Sequence, residues 1–270
     1  MGPFDLVDFL PGDPDPSGIF NPVLSSGTSI FDPALDAAGM YIYTHTDGCA
    51  DSSNTTINLI NCEVCAANLV PNPSFESISS CPLGGGQMTA VDDWDNYTGV
   101  TGGGSADYFN SCGYSNPSVQ ANTGNGHIGF FSYIDFIPDA REYAQAQLAS
   151  PLVAGECYSI SMYLALSSSS DYAHDSVGIL LTAAPPIGSV GGVIYATPQL
   201  ATTTSNMVTD SNWVLISGTF VASGGEQFIT IGVFTDDATL TLVPTGIMPD
   251  PTIIDHSYYM VDDVCVHAAT

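Results

Sequence analysis

Three acidic residues stand where a β-strand normally buries apolar side chains. Glu76 ends the strand-like run NLVPNPSFE, and Asp262 and Asp263 interrupt the run YYMVDDVCV. Carboxylates that are partly buried together repel one another unless a cation or a proton joins them. Two carboxylates with backbone carbonyls from turn residues would suit Ca²⁺, which takes roughly 6–8 oxygen ligands. The alternative is that these acids lie in water at strand ends or pair with Arg141.

A second set of residues suits the recognition of a sugar. The loops from 92 to 133 concentrate aromatic residues in turn-like sequence that is rich in Gly, Ser and Asn. Sugar rings present apolar C–H faces that stack on aromatic rings, and their hydroxyls need amide or carboxylate partners. We therefore predict a glycan site in which Tyr97 and Tyr114 stack and Asn96 and Asn110 donate or accept hydrogen bonds. The alternative is that the aromatics fill the core of a β-sandwich, which the sequence favours for both tryptophans.

Arg141 is the only Lys or Arg of the chain, against 28 Asp plus Glu. Its guanidinium can form a bidentate pair with a carboxylate, for example Asp107 or Glu142, and so lock a loop. The alternative is a ligand role, in which Arg141 binds a sugar hydroxyl or an anionic sugar. The sequence leaves both roles open, and Arg141 is kept among the candidate ligand-binding residues.

The formal net charge of −27 excludes whole classes of partner. Nucleic acid requires cationic contacts to its phosphates, and anionic membranes are disfavoured for the same reason. Such an excess of carboxylate suits a calcium-rich or saline extracellular medium. No apolar run approaches the roughly 18 residues of a membrane helix, and the start MGPFDLVDFL lacks a cationic signal-peptide region. We expect an exported chain without membrane insertion, either a mature segment or a piece of a longer protein.

The sequence contains no recognisable catalytic motif. The five histidines are scattered, and no HExxH, GxSxG or P-loop pattern occurs. The run HDS at 174–176 has the three residue types of a catalytic triad, but neighbouring residues on a strand point to opposite faces and cannot form the relay. The acid pairs in DDW (92–94) and TDD (235–237) would serve a glycosidase only if two carboxyls converged in a cleft. We predict that the protein is not an enzyme and has no catalytic residues.

Seven cysteines are spread through strand and turn sequence, without the paired CxxC pattern of a zinc site. Disulfides are therefore expected, and the odd number leaves at least one thiol unpaired or intermolecular. Cys81 and Cys112 bracket the aromatic loops and would close a loop of about thirty residues. Cys157 and Cys265 would pair if their strands are antiparallel neighbours. The pairing of three cysteines stays open: Cys49, Cys62 and Cys65.

Almost every segment has the pattern of strand and turn. Alternating or β-branched runs such as CYSISMYLAL (157–166) and QFITIGVF (227–234) are separated by clusters of Gly, Pro, Ser and Asp, which is typical of β-sandwiches. A boundary falls near NCEVCAA (61–67), where one set of short strands ends. We predict two all-β domains, 1–62 and 63–270. The first is small for an independent sandwich and is expected to depend on its neighbour or on a row of similar modules.

Two resemblances define the fold more closely. FDP at 31–33 and GMYIYT at 39–44, followed by Cys49, resemble the immunoglobulin-like repeats of giant type IX-secreted surface adhesins of gliding bacteria. The ordered landmarks from NLVPNPSFE through REYAQAQLASPLVAGECYSISMYLAL to YYMVDDVCV resemble the galactose-binding-like jelly-roll module that accompanies those repeats. Together the two resemblances cover nearly the whole chain, and the near absence of Lys and Arg is a departure from the family pattern.

The resemblance implies a small immunoglobulin-like β-sandwich followed by a jelly-roll β-sandwich of the carbohydrate-binding-module type. In such jelly rolls the first and last strands lie close and commonly hold a structural calcium, which here implies Glu76, Asp262 and Asp263 as ligands. It also implies a non-catalytic extracellular adhesin fragment at the cell surface, concerned with gliding motility. Its partners would be a glycan or another surface ligand and neighbouring adhesin repeats. The alternatives are a purely structural or filament module and, less favoured, a carbohydrate-active enzyme domain.

Overall fold

The computed structural model describes residues 3–10, 18–32, 35–36, 39–46, 52–59, 65, 67–96, 105–116, 119–186, 192–246 and 255–269. The chain divides into two compact units, Met1–Val64 and Cys65–Thr270, whereas the sequence predicts a boundary at 62/63. Strands dominate both units. Among the described residues, the helices are short 3₁₀ turns at Leu6–Phe9, Met88–Ala90 and Asp237–Thr239, and none is long and apolar enough to cross a membrane.

The smaller unit contains short antiparallel sheets around its own core. Its described strands are β1 (Phe4–Asp5), β2 (Ile19–Asn21), β3 (Ile30–Phe31), β4 (Gly39–Thr46) and β5 (Ser52–Leu59). β1 pairs with β3, and a second sheet has the order β2-β4-β5. Alternation along β4 places Tyr41 and Tyr43 on one face, where both are buried with Phe20 and Phe31. The immunoglobulin-like fold stays a prediction for this unit.

The larger unit is built from antiparallel strands. Its described strands are β6 (Trp94–Asn96), β7 (Asp107–Asn110), β8 (Gly126–Ile134), β9 (Ala144–Gln147), β10 (Cys157–Leu166), β11 (Tyr172–His174), β12 (Val177–Thr182), β13 (Leu200–Ala201), β14 (Val214–Val221), β15 (Phe228–Val233), β16 (Leu242–Pro244) and β17 (His256–Ala268). A front sheet has the order β14-β10-β17-β8-β7, and a back sheet has the order β13-β12-β15-β9-β6. β11 and β16 form a separate pair.

The two five-stranded sheets enclose the main apolar core. Strand alternation sends Ile128 and Phe130 of β8 into this core from the front sheet, and Ile229 and Ile231 of β15 meet them from the back sheet. Trp94 is buried in the same core, as the sequence favours. This arrangement confirms the predicted all-β fold class, a jelly-roll β-sandwich.

The opposite face of the front sheet, called here the outer face, carries a second apolar cluster. Phe109 of β7, Ala165 of β10, and Tyr258 and Met260 of β17 pack there with Val119 from a loop. The strands of the front sheet are therefore apolar on both sides, as happens when both faces of a sheet are covered. Among the described residues, loop side chains such as Val119 and Trp213 pack against this face.

The first and last runs of the larger unit meet, as the resemblance implies. The Leu69 N–H donates to the Val266 carbonyl at 2.8 Å, and the Val264 N–H donates to the Pro73 carbonyl at 2.9 Å. The Asn68 side chain adds to this pairing, because its Oδ1 accepts from the Val266 N–H at 3.0 Å. These bonds bring the segment that ends at the first candidate acid alongside β17.

A bulge in β17 explains why two acids interrupt an apolar strand. The pairing of β17 with β10 shifts register at this point, and Asp263 has a φ of 49°, in the left-handed region. Val261 and Val264 both face the core, although they are three residues apart. A bulge of this kind re-aims side chains, and here it turns Asp262 and Asp263 out of the apolar pattern.

Two disulfides are present among the described residues. Cys81 is bonded to Cys112 across a sequence separation of 31, which is the pair that the sequence predicts. Cys65, whose partner the sequence leaves open, is bonded to Cys265 across a separation of 200. Two of the cysteines whose pairing stays open, at 49 and 62, lie outside the described residues.

The predicted bond between Cys157 and Cys265 is wrong. β10 and β17 are antiparallel neighbours, as that prediction requires, but Cys265 lies opposite Ser161. Four residues of strand separate Ser161 from Cys157, about 13 Å. Disulfide-bonded residues have Cα atoms within about 7 Å. Cys157 is accordingly an exposed free thiol.

Candidate functional site

A pocket of about 120 Å³ opens at the outer face of the front sheet, near β7 and β8. Its wall is the pocket loop, residues 111–125, of which 117–118 lie outside the described set. The polar lining consists of Asn110, Ser111, Ser115, Asn116, Gln120, Asn125 and His127. Among the described residues, no Asp, Glu, Lys or Arg lines the pocket. The chemistry of the pocket therefore suits a neutral polar ligand.

His127 is the most unusual member of this lining. It is only 3% exposed, and neither of its ring nitrogens has a hydrogen-bond partner in the described part of the chain. A buried polar group without a partner costs about 1–3 kcal/mol, so folded proteins rarely leave one without a reason. Burial lowers the pKa of His127 to about 4. The ring is therefore neutral at pH 7 and offers one donor and one acceptor.

Aromatic neighbours hold the His127 ring in place. Phe109 stacks on it with ring centroids 5.2 Å apart and an interplanar angle of 19°, and Trp213 meets it edge-on at 6.0 Å and 84°. Tyr114 stacks on the Phe109 ring at 5.2 Å and is 40% exposed. The Trp213 indole N–H donates to the Gln120 carbonyl at 2.8 Å, which joins this stack to the pocket loop.

The beginning of the pocket loop, at Ser111 and Cys112, is bonded to the rest of the larger unit. The disulfide between Cys81 and Cys112 fixes its beginning. The Ser111 N–H donates to the Asn125 carbonyl at 3.2 Å, and the Ser111 hydroxyl donates to the Asn125 side-chain oxygen at 2.8 Å. The two ends of the loop are thus bonded to each other, so the pocket is formed without a ligand.

The far end of the pocket loop is held by Glu76. Its Oε1 accepts from the Asn125 N–H at 2.7 Å and from the Gly126 N–H at 2.6 Å. Gly124 lies beside the carboxylate with a φ of +61°, and a side chain at this position would collide with the Glu76 oxygens. Glycine is therefore required here both for its backbone conformation and for the close approach.

Asp262 and Asp263 bind the same loop from β17. Asp262 Oδ2 accepts from the N–H groups of Asn122 and Thr123 at 2.8 and 3.1 Å. The Asp263 carboxylate accepts from the Asn122 amide at 2.7 Å and from the Thr123 hydroxyl at 2.6 Å. Asp262 is fully buried. Burial, with a smaller contribution from the charge of Asp263, raises its pKa to about 8.

The three acids predicted as metal ligands therefore converge on one loop rather than on one point. Within the described ranges, no group of three or more His, Cys, Asp or Glu side chains is placed to hold a metal ion. Hydrogen bonds from the loop perform part of the role that the sequence assigns to a cation, because they offset the burial of the Asp262 carboxylate and its repulsion by Asp263.

The predicted sugar-binding residues are divided between several places. Asn110 lines the pocket, but its amide donates to the Tyr108 hydroxyl at 2.7 Å and its Oδ1 accepts from the Cys112 N–H at 2.9 Å. Asn96 lies on β6 of the back sheet, away from the pocket lining. Tyr97 lies outside the described residues.

Arg141 is a structural residue, so its predicted ligand role is wrong. It is 1% exposed, and its guanidinium donates to the Thr235 carbonyl at 2.8 Å and forms an ion pair with Asp237 at 2.8 Å. Of the two roles that the sequence leaves open, the structure places Arg141 in the loop-locking one, with a different carboxylate from Asp107 or Glu142. A ligand cannot reach the guanidinium without displacing these contacts.

A buried Ser–His pair resembles a nucleophile and its base but is closed to substrate. The Ser132 hydroxyl lies 2.6 Å from His174 Nε2, and His174 Nδ1 bonds to the backbone carbonyl of Asp175. Ser132 and His174 are 1% and 0% exposed. Burial lowers the pKa of His174 to about 4. The pair links β8 to β11 and is not the triad that HDS at 174–176 superficially offers.

The carboxyl groups of Glu142 and Asp107 lie near each other beside β7, and both accept hydrogen bonds from other residues of the protein. Glu142 accepts from the Phe131 N–H at 2.8 Å, and burial, followed by the charge of Asp107, raises its pKa to about 8. Asp107 accepts from the Tyr258 hydroxyl at 2.5 Å and from the Gly86 N–H. Neither carboxyl lines the pocket, so their contacts are those of a structural pair rather than of a glycosidase site.

Sequence reasoning missed His127. One signal for it exists, because the segment NSCGYSNPSVQANTGNG that precedes it is rich in amide and hydroxyl side chains. Such a segment directly before a strand that carries a histidine among apolar residues favours a polar pocket over that strand. Burial of the ring and its lack of partners are tertiary facts that the segment itself does not contain.

No family model and no curated protein matches the chain. Solved structures similar to it include the K1 cleaved adhesin domain of Lys-gingipain from Porphyromonas gingivalis W83, at TM-score 0.42 and 12% identity, covering 73% of this chain and 96% of that one. The CBM22-1 xylan-binding domain of Paenibacillus barcinonensis Xyn10C has TM-score 0.38 and 15% identity, with 72% and 90% covered. TmCBM61, solved with β-1,4-galactotriose, has TM-score 0.35 and 9% identity, with 76% and 100% covered.

Proposed function

We propose that the larger unit is a non-catalytic glycan-binding domain. The observation that carries this proposal is the outer-face pocket, which is neutral and polar and contains a buried histidine with two unpartnered ring nitrogens. The half-exposed ring of Tyr114 lies two rings away in the same stack. A sugar combines hydroxyls with apolar C–H faces. Its hydroxyls would bond to the polar side chains of the pocket, and Tyr114, which lies outside the pocket lining, would stack on a sugar that extends beyond the pocket.

We further propose that this domain belongs to an extracellular adhesin of the type IX-secreted, gliding-motility-associated class, exposed at the cell surface. The two disulfides support an oxidising compartment, and a net charge of −27 disfavours nucleic acid and anionic membranes. The smaller unit, with its own core, would serve as an immunoglobulin-like spacer. Neighbouring adhesin repeats would then be its partners.

Calcium remains part of the proposal as a structural ion. Asp263 accepts hydrogen bonds from the Asn122 amide and the Thr123 hydroxyl. With the Asn122 amide turned over, the three side chains would present carboxylate, amide and hydroxyl oxygens, which are the ligands that Ca²⁺ prefers. These residues would hold the ion, with Glu76 and Asp262 binding the adjacent backbone. The ion would supply charge neutralisation between the pocket loop and β17.

The direct test of glycan binding is a glycan array probed with labelled protein, followed by calorimetric titration of the glycans retained. We expect retention of neutral glycans. A folded protein that retains no glycan on the array would contradict the proposal and favour the purely structural or filament module. Circular dichroism of the labelled sample shows whether it is folded.

Two tyrosine variants test whether glycan binding depends on Tyr114 or on any exposed tyrosine. Tyr114→Ala removes the exposed ring of the outer-face stack, whereas Tyr195→Ala removes a ring that is 62% exposed elsewhere. We expect weaker glycan retention only for the first, with both variants within about 0.5–1 kcal/mol of the wild-type stability. Equal retention by both variants would remove Tyr114 from the site.

A further inference from the structure

The two ends of the larger unit are joined by a covalent bond. Cys65 is the first residue of this unit, and it is bonded to Cys265 in β17, the last described strand. The Cα atoms of the two residues are 6.1 Å apart, although 200 positions separate them in the chain. The bond therefore closes residues 66–264, which include the pocket and almost all of the main core, into a ring.

A ring of this kind changes the path of a mechanical load. A force that enters the unit at Cys65 and leaves it after Cys265 is carried by the shortest covalent connection between these points, and that connection is the disulfide itself. Residues 66–264 form a side branch of this path and carry no tension while the bond is intact. A covalent S–S bond withstands far more force than hydrogen bonds, which are weak once water can replace them.

Without the bond, the load would fall on hydrogen bonds that lead directly to the pocket loop. The end of the unit would then be held by contacts such as the bond from the Leu69 N–H to the Val266 carbonyl at 2.8 Å. Three residues before Cys265 in β17 stands Asp262, and Asp262 and Asp263 both accept hydrogen bonds from the pocket loop. Peeling of β17 as far as Asp262 would therefore release the loop.

We propose that the Cys65–Cys265 disulfide carries the tension that is applied through the two ends of the larger unit, so that the sandwich and the pocket loop stay folded under load. This role does not depend on glycan binding, because it concerns the chain that forms the pocket and not the ligand. The Cys81–Cys112 bond cannot perform the same role, because it lies inside the ring and closes a separation of only 31 residues.

Single-molecule force spectroscopy of the full chain, held by its first and last residues under oxidising conditions, tests this role. In wild type, the only steps should come from the smaller unit, since 64 residues extend by at most about 23 nm at roughly 3.6 Å each. In the variant Cys65→Ser/Cys265→Ser, the larger unit should unfold in a further step of about 60 nm. The separation of 200 less the 31 that Cys81–Cys112 closes leaves 169 residues to extend.

The variant Cys81→Ser/Cys112→Ser is the matched control. It keeps the outer disulfide, so the step of about 60 nm should be absent, as in wild type. All four replacements together should lengthen that step by roughly 11 nm, which identifies the extending chain as the larger unit.

Circular dichroism shows whether Cys65→Ser/Cys265→Ser is folded. If it is unfolded, its chain should exceed that of wild type by the same 60 nm at low force without a step. A step of about 60 nm in oxidised wild type, or a variant chain that extends no further than wild type, would overturn the inference. Neither result bears on glycan binding, which the glycan array tests separately.

Discussion

Two buried histidines of the larger unit share an environment but differ in their partners. His127 and His174 are 3% and 0% exposed, and burial is the main cause that lowers the pKa of each to about 4. His174 bonds on both sides, to the Ser132 hydroxyl and to the Asp175 carbonyl. His127 faces a pocket and has no partner within the described part of the chain.

The difference shows that a perturbed pKa alone does not mark a functional group. Burial lowers the pKa of a histidine whether the residue is structural or belongs to a binding site. The hydrogen-bond partners distinguish the two cases, because a fully bonded ring stabilises the fold and an unbonded ring beside a pocket has its bonding capacity left for a ligand. His174 is therefore a structural residue, and His127 belongs to the proposed binding site.

The largest change in the free energy of unfolding is expected on removal of the disulfide between Cys81 and Cys112, which holds the beginning of the pocket loop. Replacing both residues by Ser should lower the free energy of unfolding by about 3–4 kcal/mol, because the bond closes a loop of 31 residues. Glycan binding should weaken too, since the pocket loop loses its anchor. Urea denaturation and calorimetry measure the two quantities. Cys157→Ser, which removes an exposed free thiol, is the control and should change neither.

The next effect compares the two histidines directly. His174→Phe leaves the Asp175 carbonyl without its buried donor and should lower the free energy of unfolding by about 2–4 kcal/mol. His127→Phe breaks no hydrogen bond to a described residue and removes two buried nitrogens without partners, so its stability should equal that of wild type or exceed it by up to about 1–3 kcal/mol. Urea denaturation at pH 7 measures both. An equal loss of unfolding free energy in the two variants would show that both histidines are structural residues.

Some of this organisation is readable in the sequence. The period-two alternation of runs such as CYSISMYLAL predicts the sandwich, because one residue in two must face a core. The resemblance to jelly-roll modules predicts that Glu76 and Asp263 lie in a common region, and both are bonded to the pocket loop. Local pattern suffices for the strand faces, which follow from the order of residues, whereas the meeting of the first and last strands is predicted from the resemblance.

Other features depend on contacts that no local pattern encodes. The Cys157 prediction fails through register, because antiparallel neighbours can be offset by any number of residues and the offset decides which side chains meet. Arg141 finds its carboxylate in Asp237, which is remote in sequence. The lack of partners at His127 is visible only after the pocket loop is placed over β8.

The pH dependence of stability offers a finer comparison. The pKa of each buried histidine is about 4 in the folded protein, against about 6.5 in the unfolded chain. The unfolded state therefore binds more protons between these values, so the stability contributed by a neutral buried ring is present above pH 6.5 and is lost as the pH falls towards 4. Glu142 acts in the opposite sense, because its raised pKa of about 8 removes stability as the pH rises from about 4.5 towards 8.

Comparing His127→Phe with wild type separates the contribution of His127 to the pH dependence of stability from those of His174 and Glu142. Relative to wild type, the variant should gain on the order of 2 kcal/mol in free energy of unfolding between pH 7 and pH 4.5. Urea denaturation at several pH values measures the difference. A constant difference across this range would mean that the pKa of His127 is the same in the folded and unfolded states, and the ring would then be solvated rather than buried.

The smallest effect concerns the far end of the pocket loop, where hydrogen bonds and the proposed calcium ion would act together. A ligand that binds only the folded state stabilises it by mass action. For an extracellular site with a Kd near 10⁻⁴ M, 1 mM CaCl₂ would add about 1.4 kcal/mol and raise the Tm by roughly 3–5 °C. Excess EDTA should reverse the rise. Asp263→Asn removes the carboxylate that contacts Asn122 and Thr123 and should abolish the response to calcium. A melting curve that is identical in calcium and in EDTA would mean that the hydrogen bonds of Glu76, Asp262 and Asp263 hold the loop without an ion.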